Sequence, residues 1–221
     1  MSTDVNSQKM DDDAARMGAK QQVEAFEDPP VARALFGEVR WAWIWLILRL
    51  YVGWEWLHAG WGKLNNPAWT GDKAGTAISG FVNGALEKTA GSHPDVQSWY
   101  GAFLQHVVLA YPVAWSYAIT AGELLVGIAL ILGIFTGIAA FFGSFMNMNY
   151  LLAGTVSTNP ILFVIATWLV LAWKTAGWWG VDRWLLPMLG TPWRPGVVFV
   201  HEPSVTSDRG SGGDHVTAGA R

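Results

Sequence analysis

Four long apolar runs, separated by polar or glycine-rich stretches, pattern the chain, and each reads as a helix crossing a lipid layer: residues 41–62, 113–133, 137–153 and 160–177. The first, WAWIWLILRLYVGWEWLHAGWG, has 22 residues. At ~1.5 Å of rise per residue it reaches about 33 Å, enough for a hydrocarbon layer of about 30 Å. Pro112 precedes the second run and Pro160 opens the fourth, positions where the missing N–H costs a helix nothing. Only Ile134, Phe135 and Thr136 separate Gly133 from Gly137, so the second and third runs must turn back as a tight antiparallel hairpin. Glycines 122, 127, 133, 137 and 143 read as points of close helix contact. The expected fold class is an all-α membrane protein, a four-transmembrane-helix bundle.

Between the first two runs lies a long connection, residues 68–111, rich in glycine but with apolar pieces at 78–86 and 99–110. Its apolar content argues for order, so short interfacial helices are expected there. A further tryptophan-rich interfacial piece is expected at residues 178–189. Residues 1–30 are polar and acidic, and read as a disordered tail. Residues 31–40 read as an amphipathic run-in to the first span. The membrane domain is therefore expected over residues 31–190, followed by a flexible tail over 191–221.

Composition agrees with a membrane protein. The chain is 52% hydrophobic and only 14% charged, with 15 tryptophans, a ring type that collects at membrane–water interfaces. Absent cysteine excludes iron–sulfur and thiol cofactors in this chain. A net charge of −3 without a basic stripe argues against nucleic acid. Lys and Arg gather near one set of span ends (Arg33, Arg40, Lys174, Arg183, Arg194) more than the other. That asymmetry predicts a multi-pass protein with both termini in the cytoplasm.

The apolar runs contain polar residues that are expensive at membrane depth and therefore mark partners or function. Counting helical rise from the span ends puts Arg49, Glu123 and Asn147 in one layer. That depth match predicts an Arg49–Glu123 pair with the Asn147 amide beside it, structural or functional in equal measure. Arg49 shares its helical stripe with Trp56 and Lys63. Glu55 and His58 are neighbours on a different face, a candidate proton-accepting pair. His106, Tyr111 and Thr120 approach the same outer level. His58, Trp56, His106 and Tyr111 are the candidates to line a cofactor, and no residue set suggests a metal. Haem ligation by His58 and His106 is disfavoured, because neither lies in a diagnostic motif.

Several ordered motifs resemble the DoxX/DoxD family of small four-helix membrane proteins. They are Leu48-Arg49-Leu50-Tyr51-Val52-Gly53, Ala59-Gly60-Trp61-Gly62-Lys63-Leu64, Gly122-Glu123-Leu124-Leu125-Val126-Gly127, Leu132-Gly133-Ile134-Phe135-Thr136 and Trp179-Gly180-Val181-Asp182-Arg183-Trp184. The resemblance implies the large membrane subunit of a thiosulfate:quinone oxidoreductase, which turns thiosulfate to tetrathionate and passes electrons to quinone. It also implies membrane components of oxidative-stress assemblies, so a non-catalytic scaffold that recruits soluble redox enzymes is the alternative. The expected partners are the lipid bilayer, a quinone and a soluble redox subunit, with a homo-oligomer left open. On this reading Arg49, Glu123, Asn147, Glu55 and His58 carry the chemistry.

Overall fold

The computed structural model of the chain describes residues 28–191, and these are helical with no strand among them. The expected tails at 1–30 and 191–221 lie almost wholly outside the described residues. Helix α1, Pro30–Gly37, leads through a short 3-10 turn into α2, Ala42–Leu64. The connection then forms three helices: α3, Pro67–Thr70; α4, Thr76–Glu87; and α5, Ser98–Phe103, continued by a π-helical turn at Leu104–Val108. Next come α6, Pro112–Leu132, and α7, Thr136–Leu152, followed by α8, Asn159–Leu171. Two short pieces close the described chain, α9, Trp173–Ala176, and α10, Asp182–Met188.

Local chemistry sets these boundaries. Asn66 caps α3 by accepting the Ala68 N–H at 3.0 Å, and Pro67 takes the first turn. Gly133 ends α6 in the left-handed conformation (φ 69°), which costs a glycine little. The hairpin therefore forms where the glycine spacing predicts it. The fourth apolar run departs from expectation. Its helix stops at Leu171 and restarts as α9, because Thr175 turns its hydroxyl to the carbonyls of Ala172 and Phe36 and docks the chain on α1.

Helices α2 and α6 pack antiparallel and close. A Cβ at Gly127 would lie 2.5 Å from the Leu57 backbone nitrogen, and one at Gly60 would lie 2.9 Å from that of Leu124. Gly53 sits against Leu130 and Ile131 in the same way. These contacts set the stagger of the pair: Gly60 is level with Leu124, and Gly53 with Ile131. Gly143 gives α7 a similar approach to Trp56 and Val126, and Gly137 faces Trp173. A first core joins the four long helices around Trp45, Val52, Trp56, Leu130, Ala140 and Leu169. A second lies under the connection, around Ile78, Val82, Val96, Tyr100 and Leu104.

Large apolar side chains also face outward all round the bundle, among them Trp43, Ile47, Leu125, Phe141, Ile161 and Trp168. Among the described residues, Pro112–Leu132 is the one helix both long and apolar enough to cross a membrane. Helix α2 is longer, but Arg49, Glu55 and Lys63 interrupt it. Helix α8 is apolar but has only 13 residues.

Candidate functional site

Polar groups gather at two places in the bundle. The outer cluster is built where α2, α6 and α7 meet under the connection. The Lys63 ammonium donates to both carboxylate oxygens of Glu123, at 2.9 and 2.7 Å. The Tyr150 hydroxyl donates to the same carboxylate at 2.7 Å. Glu123 is 1% exposed and the Lys63 side chain 19%, so the lysine carries the pair to the rim. There its ammonium lies 5.0 Å from the Trp69 ring centroid, a cation–π contact. Trp69 is tied back by its carbonyl, which accepts from Ser116 of α6.

Asn147 stands one turn from Tyr150 on the same face of α7. It is fully buried, and neither end of its amide has a hydrogen-bond partner. Trp56 is 3% exposed, packs over Gly143, and stacks on Tyr150 with ring centroids 6.4 Å apart. Its Nε1–H is also unpartnered. Two donors and one acceptor are thus left open in the bundle core, on Asn147 level with Glu123 and on Trp56 a turn further along. Burial without a bond costs each of them roughly 1–3 kcal/mol.

Beside this cluster lies an apolar cavity of about 160 Å³. The connection supplies one wall, with Phe81, Val82 and Tyr100, and α6 and α7 supply the other, with Trp115, Met146 and Tyr150. Its polar edge is Tyr100, whose hydroxyl donates to the carbonyl and side-chain oxygens of Asn149 at 3.1 and 3.0 Å. Burial pushes the Tyr100 phenol up to about 12.

The inner cluster clasps the α6–α7 hairpin. Asp182 accepts the Phe135 N–H at 2.6 Å and the Thr136 N–H at 2.8 Å, capping α7. The Asp182 N–H in turn donates to Gly133 and that of Val181 to Leu132. This clasp holds Phe135 in a left-handed conformation (φ 44°) unusual for a non-glycine residue. Arg49 lies against Gly133 and Gly180 and donates to the Trp179 carbonyl at 3.0 Å.

The expected Arg49–Glu123 pair does not form: Glu123 takes Lys63, and Arg49 takes the Trp179 carbonyl. Glu123 is level with Gly60, and Arg49 lies about 16 Å further along α2 at helical rise. The depth count fails because it set both helix ends on one plane, whereas α2 runs some two turns past the hairpin. The expected layer of Glu123 and Asn147 does come together, since Gly122 meets Met146 and Gly143 meets Val126. The stripe of Arg49, Trp56 and Lys63 faces the interior as expected.

Glu55 and His58 do not pair. Their face points out of the bundle, leaving Glu55 half-buried and His58 exposed against the Trp54 ring, 6.0 Å away. His106 and Tyr111 are exposed on the π-helical turn and just beyond it. Trp56 is buried elsewhere, so these four expected cofactor residues form no common pocket. Thr120 is buried but bonds its own Ser116 carbonyl. Lys63, Tyr150, Tyr100 and Asp182 were not picked out as site residues. Lys63 was legible as the third member of the stripe beginning at Arg49. The tyrosines carry no signal among so many aromatic residues.

A family model described as DoxX matches residues 44–155, just over half of the chain. No curated protein and no solved structure matches it.

Proposed function

Because the chain belongs to DoxX, a family of membrane proteins, we propose that it is the membrane subunit of a quinone-linked oxidoreductase, with the quinone ring in the aromatic cavity. Four spans, α2, α6, α7 and α8 continued by α9, then form a multi-pass bundle with both termini in the cytoplasm. The outward apolar side chains on all four helices support their contact with lipid, and the Lys/Arg asymmetry supports the orientation.

The observation that carries the reading is the cavity itself. About 160 Å³ of apolar, aromatic-walled space is comparable to a cavity of about 150 Å³ known to hold benzene in another protein. It therefore fits one six-membered ring, and not a drug-sized ligand. Tyr100, Asn149 and Tyr150 offer polar groups at its edge for a ring oxygen, while Phe81, Phe103 and Trp115 offer faces for stacking. When bound, the quinone supplies the electron-accepting chemistry. The chain's residues orient the ring, exclude bulk water and hold protons nearby.

The electron donor is a sulfur oxyanion such as thiosulfate, or a soluble redox partner. With no cysteine in the chain, electrons cross to the ring without a thiol relay here. Purified protein in lipid nanodiscs tests the reading. Decylubiquinone should quench tryptophan fluorescence, because Trp115 lines the cavity, and Val82→Trp should abolish the quenching by filling the space. Thiosulfate should then bleach the quinone if it is the donor. Absent quenching, with soluble redox enzymes co-purifying, would replace this reading with the scaffold.

A further inference from the structure

We propose that Lys63, Glu123 and Tyr150 form a one-sided proton path from the rim at Trp69 to the aromatic cavity; this rests on the quinone reading above. Reducing a quinone to a quinol takes up one proton per electron, whereas thiosulfate oxidation to tetrathionate releases electrons and no proton. Protons must therefore reach a cavity whose walls are almost wholly apolar.

The structure offers a chain of groups in hydrogen-bond contact. Lys63 is the member open to the rim, with a fifth of its side chain exposed. Lys63 donates to both Glu123 oxygens, Tyr150 donates to one of them, Oε1, and the Tyr150 side chain lines the cavity. These are the titratable groups that contact Glu123 from α2 and α7, and Tyr100 is the next beyond Tyr150, across the cavity from α5. With a quinone bound, the Tyr150 hydroxyl would turn from Glu123 to a ring oxygen and give up its proton there, once for each of the two electrons that the sulfur oxyanion or redox partner supplies. Lys63 returns a proton to Tyr150 through Glu123, and rim water reprotonates Lys63.

Asn147 and Trp56 add buried, unpartnered polar groups beside this chain, with Trp56 one turn further along the bundle. Beyond them the seam closes. Val52 and Leu130 are fully buried and carry no group to pass a proton between Trp56 and Arg49. Exchange is thus confined to the side of the connection, which gives quinone reduction a sidedness across the membrane.

The full chain in liposomes, with decylubiquinone at saturation and electrons from an external mediator, tests this directly. A pH dye on each side of the membrane reads proton uptake on reduction. Uptake should come from the side on which Ser92→Cys is labelled, and slow by about a hundredfold in Lys63→Met/Glu123→Gln, as for loss of a positioned acid–base group. That double variant leaves no lone buried charge. Tyr150→Phe removes no charge at all, and should show the same slowing even if the double variant fails to fold. Infrared difference spectra should lose their carboxyl band in the double variant. Unchanged uptake rates with an unchanged band, or uptake from the opposite side, would overturn the path alone. Wild-type protein that shows no quenching by decylubiquinone would overturn the quinone reading and the path together.

Discussion

Glu123 shows how a buried charge chooses its partner. Two cations share its neighbouring stripe, and the flexible lysine at the rim reaches it while the arginine deeper in does not. Removing Lys63 would leave a carboxylate buried alone, which costs about 3–5 kcal/mol, whereas removing both charges buries none. Thermal melts should therefore show Lys63→Met and Glu123→Gln strongly coupled, with the double variant recovering most of the loss. Arg49→Leu and Glu123→Leu should instead be additive within about 0.5 kcal/mol, since the two groups share no partner. That the polar residues would be buried together was legible, because an apolar run cannot solvate them. Their pairing was not, because helical rise measures depth along one helix and says nothing of stagger between two. Tyr100 adds a pH dependence of its own. Its phenol ionises at about 12 in place of the ordinary 10.0, so the unfolded chain loses this proton first on raising the pH. Its contribution to stability is complete below pH 10.0 and is lost as the pH climbs through about 12. Tyr100→Phe should flatten the alkaline limb of a melting-temperature profile.

Helix boundaries were more legible than helix contacts. Proline and glycine punctuation placed α2, α6 and α7 within a few residues, and the three-residue hairpin forms as spaced. The clasp on that hairpin was invisible, because Asp182 sits among tryptophans far along the chain and acts through backbone N–H groups. Contact between α2 and α6 depends on missing side chains. Gly127→Leu would press a side chain into the Leu57 backbone, and should cost more than 2 kcal/mol or prevent folding, as overpacking does. Gly84 of α4 has nothing within 4 Å of a built Cβ. Gly84→Ala should gain about 0.5–1 kcal/mol from helix propensity. Membrane yield and melting temperature of the two variants check the contrast.

At the scale of the whole molecule, the chain is a bundle roofed at one end by α3, α4 and α5 and clasped at the other by α9 and α10. Composition made the membrane setting legible, and the roof followed from apolar pieces in an over-long connection. With no native cysteine, single thiols report topology cleanly. An impermeant reagent on intact cells should label Ser92→Cys and spare Arg33→Cys, both exposed positions. The reverse pattern would invert the proposed orientation.

In the proposed four-span bundle, the overhang of α2 beyond the hairpin gives the helices unequal lengths against lipid. At helical rise α2 spans about 34 Å, α7 about 26 Å and α8 with α9 about 27 Å, against a hydrocarbon layer of about 30 Å. Under that proposal, lipid beside α7 and α8 would thin or tilt to follow them while lipid beside α2 would not, giving a wedge of uneven hydrophobic thickness. Acyl chain length should then act as a control on the bundle. Melting temperature should peak in bilayers of shorter chains and fall as they lengthen, because thicker bilayers strand the ends of α7 in hydrocarbon.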